Sequence, residues 1–206
     1  MRRNLKTILA FGIIICLAIV IEILNAIDVR NSATNDYTPE NGGNIHLYGE
    51  VHGEIDYYNK EIEIWGKYYE NGNRDLFVEL PYYTAEFLNI WMKADNDEII
   101  YQIYSDIDGT ASHTEEYLEF FKTIKKSYPE TVFHGTDVGH QFETTGARYL
   151  EYLEELGLKD SEQYVLASIC VEQGKRFSGM EATDSYREQM MVENFANAYE
   201  RIGKKR

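Results

Sequence analysis

Leu76-Phe77-Val78-Glu79-Leu80-Pro81 is the stretch on which the fold turns. It is an apolar run broken by one acid, preceded by the turn residues Asn71-Gly72-Asn73 and closed by a proline. Such a run reads as a parallel strand covered on both faces. An unpaired buried carboxylate is costly, so Glu79 needs a partner, a ligand or an exposed place at the strand end. Two further runs end in the same way. Ile45-His46-Leu47-Tyr48 leads into Gly49-Glu50-Val51-His52-Gly53, and Thr131-Val132-Phe133-His134 leads into Gly135-Thr136-Asp137. In open α/β sheets, ligands collect at the carboxyl ends of the strands. Three strand ends carrying acids, one of them also a histidine, point to a ligand-binding or catalytic cleft.

Helical patterns separate and follow these runs. Ile55, Tyr58, Ile62, Trp65 and Tyr69 recur at helical spacing over 54–69, and Asn71-Gly72 stops the pattern. A helix is expected over 84–93, and residues 98–106 fit helix or strand. Ser112-His113-Thr114-Glu115 reads as a capping box opening a helix that runs to Ser127. Further helices are expected over 144–156, 161–174 and 183–202. Strands alternating with helices indicate an α/β fold, with a mostly parallel sheet covered by helices. The last helix ends in Ile202-Gly203-Lys204-Lys205-Arg206, a sequence that hands a helix over to a following strand. The sheet is therefore expected to be incomplete at the C-terminus.

The first 30 residues read differently. A basic start, Met1-Arg2-Arg3-Asn4-Leu5-Lys6, precedes an apolar run from Thr7 to Leu24. That length suits a transmembrane helix, with the N-terminus in the cytoplasm and the body outside. A signal peptide cleaved near Leu24-Asn25-Ala26 is the alternative. Residues 31–43 are rich in Asn, Thr, Gly and Asp and read as a linker. Residues 44–206 form the α/β domain.

A net charge of -15 disfavours nucleic acid as a partner, because phosphate contacts are made chiefly by Lys and Arg. It does not choose a substrate, for which a small molecule or a peptide is expected, with the membrane a partner through the first segment. With two cysteines, Cys16 in the apolar run and Cys170 in the body, no disulfide can form within the domain. Cys170 reads as a buried free thiol. The 17 tyrosines suit either half-buried packing or the lining of a sugar, haem or macrocycle pocket. The chain has no HExxH, GxSxG, phosphate-binding loop or paired CxxC.

Of the strand-end residues, Glu50 and His52 suit a carboxylate-supported general base or a metal ligand, or else a helix cap beside an exposed histidine. Asp137, flanked by His134 and His140, is a ligand candidate or a turn cap. Arg187, in Asp184-Ser185-Tyr186-Arg187-Glu188, can bridge the acids or grip an anion, or form a surface pair with Glu188 or Glu193.

Gly49-Glu50-Val51-His52, Phe77-Val78-Glu79-Leu80-Pro81, Gly135-Thr136-Asp137 and Arg187 with Met190 together resemble the erythromycin esterase-like, ChaN-like and TIKI/TraB superfamily over about residues 44–202. The resemblance implies an α/β domain with its pocket at the strand ends, and macrolide ester hydrolysis, metal-dependent proteolysis or haem binding as activities. It implies His52 as the water-activating base or a metal ligand, and Glu50 and Glu79 as residues that orient it or share protons. A divalent metal is the implied cofactor, held by His52, Glu50, Glu79 and Asp137. Arg187 would hold the acids or an anionic substrate group. Members carry a further glycine-and-histidine strand end beyond the Arg-bearing helix, and this sequence stops where that strand should start. The expectation is an exported, membrane-tethered hydrolase acting on an ester or amide. A haem- or ligand-binding surface protein and an inactive fragment are the alternatives.

Overall fold

The structure, a computed structural model, describes residues 45–49, 54–179 and 184–205. The chain divides into two units, residues 1–50 and 51–206. Of the first, residues 45–49 are described, and they are irregular rather than a strand. Leu47 there is 85% exposed, whereas a buried parallel strand would have hidden it. A run of four apolar residues does not by itself supply the strand neighbour that its burial requires. The membrane-spanning expectation is corrected likewise. Among the described residues no helix is long and apolar enough to cross a membrane, and the apolar segment behind the expectation lies outside them.

The second unit is mixed α/β and dominated by helix. Its elements in order are α1 (Ile55–Glu70), β1 (Asp75–Pro81), α2 (Tyr82–Trp91), α3 (Glu98–Asp106), α4 (Glu115–Ser127) and β2 (Val132–Asp137). A short π-helical turn, Phe142–Gly146, leads into α5 (Ala147–Glu155), followed by α6 (Glu162–Ser178) and α7 (Asp184–Lys205). Residues 98–106 resolve as helix because Ile100 and Ile103, three apart, are both buried on one side. The cap of α4 is Thr114, whose hydroxyl accepts from the Tyr117 amide, rather than Ser112. Ser161 caps α6 in the same manner, accepting from Tyr164.

The sheet among the described residues has two parallel strands, β1 and β2, joined through α2, α3 and α4, rather than the broader layer expected. Leu76 lies opposite Phe133 and Phe77 opposite His134, with an irregularity between Val78 and Pro81. Gly135 makes that irregularity possible. A Cβ there would collide with the carbonyl oxygens of Leu80 and Pro81, so only glycine lets the end of β1 come so close. The approach sets Glu79 and Asp137 at the same end of the sheet.

Both faces of the strand pair are covered. The ring of Phe133, fully buried, meets Phe121 of α4 on one side. Phe77 stacks with His134 and with Phe195 of α7 on the other. Trp91, Tyr83, Leu88, Ile100, Ile103 and Ile124 complete a core in which helices supply most of the apolar surface. Two tryptophans keep their indole N–H satisfied inside it, Trp65 on Thr131 at 3.0 Å and Trp91 on Asp97 at 2.9 Å.

The edge of β2 away from β1 is closed by a side chain. The Asn89 amide of α2 donates to the Phe133 carbonyl at 2.9 Å and accepts from the Phe133 amide at 2.8 Å. These are the two bonds that a third strand would otherwise make at this position. Replacing Asn89 by Leu keeps the volume and leaves both backbone groups unpaired. The expected cost is about 2–4 kcal/mol of unfolding free energy, read by urea denaturation.

Candidate functional site

The carboxyl ends of β1 and β2 carry Glu79 and Asp137, and α7 brings Arg187 onto both. Its Nε donates to Asp137 Oδ1 at 2.9 Å and its Nη2 to Asp137 Oδ2 at 2.7 Å, a bidentate grip. The same Nη2 reaches Glu79 Oε1. Asp137 is buried and Glu79 a third exposed, so the guanidinium closes the inner acid and leaves the outer one at the surface. Among the described residues Nη1 of Arg187 makes no hydrogen bond, which leaves its two N–H groups for an incoming oxygen.

Asp137 has two further partners. The Val138 amide donates to Oδ1 at 2.7 Å, and His140 Nε2 lies 3.2 Å from Oδ2. Burial works to raise the Asp137 carboxyl. Hydrogen bonds from His140 and Arg187, with the charge of the guanidinium, outweigh it and hold the group below its ordinary range. Arg187 is raised in turn, chiefly by its bonds to Asp137, and stays charged at any accessible pH.

The segment that carries His140 is fixed from several directions. Its amide donates back to Val138 at 2.8 Å in a three-residue turn, and its carbonyl accepts from the hydroxyl of buried Tyr83. Gly139 sits against the backbone of α6, where a Cβ on Gly139 would strike Cys170 and one on Gly174 would strike Gly139. Gln141 follows in the left-handed region at φ 53°, uncommon for a residue with a Cβ, and opens the π-helical turn. The His140 ring is packed edge-on against Phe177 of α6 at 5.6 Å and keeps about a third of its surface exposed.

A second tether holds α7 to the strand end. Asn194 Nδ2 donates to the carbonyls of Thr136 at 3.2 Å and Asp137 at 3.3 Å, and Asn194 pairs amide to amide with Gln173 of α6. Asn194 lies seven residues beyond Arg187, two turns along the same helix face. That spacing is the signal by which it was accessible in the sequence.

Of the residues named from the sequence, Glu79, Asp137 and Arg187 come together, and His140 joins them. His134 does not. It faces Asp75 at 2.9 Å from the middle of β2 and stacks on Phe77. Glu50 and His52 lie outside the described residues. The candidate metal set fits poorly where it can be seen. Both oxygens of Asp137 are occupied by donors, and the cation between it and Glu79 is a guanidinium. Among the described residues no group of three or more His, Cys, Asp or Glu is arranged to hold a metal ion.

Cys170 lies behind the site, buried, with its sulfur 3.9 Å from the Asp137 carbonyl. Burial pushes its thiol up to about 12. The side chains of Tyr83 and Tyr149 are core residues rather than the lining of an open pocket.

Two measurements follow from this geometry. The Asp137 carboxyl lies below its ordinary value when folded, so its contribution is present above the ordinary aspartate range and is lost as pH falls through the folded value. Asp137→Asn should cost about 3 kcal/mol at pH 7 by leaving Arg187 and His140 short of their shared acid, and should flatten the acid limb of a stability-against-pH curve. Native Cys170 should resist a thiol reagent at pH 8 and react at the ordinary rate once the chain is unfolded in guanidinium.

Compared with protein-family models, with curated proteins and with solved structures, the chain finds no match in any of the three.

Proposed function

We propose that the domain is a hydrolase that activates water against an ester or amide carbonyl at the carboxyl ends of β1 and β2. The observation that supports this reading most directly is the arginine clamp. One guanidinium draws acids from two different strands to one point and holds them beside an acid-paired histidine.

Each part has a chemical use in such a reaction. Hydrolysis requires a base for water and a donor for the oxyanion that forms on the carbonyl. A histidine supplies the first. The remaining N–H groups of Arg187 suit the second, since a fixed cation at the strand end needs no reorganisation as charge develops. Glu79, partly exposed at the mouth of the clamp, is placed to orient water or to share a proton. The resemblance to the erythromycin esterase-like group also implies roles for Glu50 and His52, which lie outside the described residues. The proposed hydrolysis runs without a metal, because Glu79 and Asp137, which would ligate one, are engaged by Arg187.

The test is turnover by the purified full chain of nitrophenyl esters and of fluorogenic peptides, each with and without a chelator. Hydrolysis that survives the chelator and drops by about 100-fold in Arg187→Gln is the expected result. Absence of turnover on every ester and peptide would end the hydrolase reading. Loss of turnover on chelation alone would replace the metal-free version of it. In the same assay, His52→Ala tests the role that the sequence resemblance assigns to that residue.

A further inference from the structure

The clamp leaves open which group takes the proton from water, and the loop after β2 answers it. We propose that His140 is the general base of this site, its Nε2–H held by Asp137 and its Nδ1 presented to a water molecule. This rests on the hydrolase reading and adds to it a residue, a ring nitrogen and an orienting partner.

The tautomer follows from the partner. A carboxylate accepts and does not donate, so the ring nitrogen facing Asp137 Oδ2 carries the hydrogen. The neutral ring then has its lone pair at Nδ1, and among the described residues Nδ1 makes no hydrogen bond. Asp137 is itself fixed by Arg187 and by the Val138 amide, so it holds the imidazole in one orientation. An acid that orients a histidine through one nitrogen while the other works is the arrangement that serine hydrolases of many folds have reached.

The backbone points to the same residue. The segment 138–141 combines a three-residue turn, a buried tyrosine hydroxyl on the His140 carbonyl, a Gly139–Gly174 contact without room for a Cβ, and a left-handed Gln141. Backbone constraint of this density is concentrated where a side chain has to be aimed. The other acid-paired histidines lack it. Asp108, the partner of His113, is largely exposed, and His134 lies within β2 under Phe77. Arg187 and His140 also share Oδ2 of Asp137, so the cation and the imidazole are anchored on one carboxylate oxygen.

The step balances simply. Nδ1 takes a proton from water as the water oxygen bonds to the carbonyl carbon. The tetrahedral intermediate then expels the alkoxide or amine, which receives that proton from the imidazolium. The products are a carboxylic acid and an alcohol or amine, and the imidazole is returned neutral.

His140→Gln is the diagnostic variant, because its amide N–H can replace Nε2–H on Asp137 while Nδ1 has no counterpart. The expected result is an unchanged urea midpoint, KM within about threefold and kcat lower by about 100-fold or more. His140→Ala should lose as much and regain part of it with added imidazole. Wild-type turnover in His140→Gln would overturn the assignment and leave the hydrolase reading standing. A rise in KM with kcat unchanged would also overturn it, by making His140 a binding residue. A wild-type chain that hydrolyses nothing removes both. A readout independent of turnover is acylation by diethyl pyrocarbonate mapped by mass spectrometry. His140 should label at least about fivefold faster than His134, as expected for an accessible neutral imidazole nitrogen, and equal or slower labelling would count against an available Nδ1.

Discussion

The contact between Arg187 and Asp137 governs the rest of this domain. Asp137 is a buried carboxylate, and a buried charge survives only when its partner is close and its oxygens are satisfied. Arg187 meets both demands from a helix almost fifty residues further along the chain. Because the pair is bidentate, it fixes the rotation of α7 as well as its distance from the strands. Asn194 and Phe195, two turns later, then fall against the strand end and the sheet face. One ionic contact and one amide therefore position the longest of the described helices.

The same contact separates two roles that a pair of acids could have shared. Asp137 is drawn inward, desolvated and held ionised. Glu79 stays at the surface on the far side of the guanidinium. The inner acid is suited to hold other groups in place, and the outer one to meet what arrives from solvent. His140 sits beside them, its Nε2 on Asp137 and about a third of its side chain exposed. The irregularity opposite Gly135 makes the division possible, since it lets the end of β1 lean toward β2.

Much of the helical framework was legible in the sequence, because apolar spacing and hydroxyl caps are local signals. The helices expected over 54–69, 161–174 and 183–202 appear with small shifts at their ends. The two strands expected around Glu79 and Asp137 appear as well, and so does the gathering of those acids by Arg187. What failed depended on distant partners. The run 45–48 has the apolar character of a strand but is irregular, since pairing is decided by a neighbour and not by composition. Tyr83, Gly139 and Gly174 gave no warning that they jointly aim His140. Their effect exists only where α6 crosses the loop after β2, a contact without a sequence period. His140 itself looked like any surface histidine until its carbonyl and its ring were each seen to be held.

The Asn89 clip gives the sheet a direction of growth. With the outward bonds of Phe133 already taken by a side chain, neither a partner protein nor a second copy of the chain can add a strand there without first displacing α2. Enlargement by insertion, strand exchange and templated aggregation are all disfavoured on that side. Any strand that joins this sheet is channelled to the flank of β1, the flank on which the exposed acid also lies.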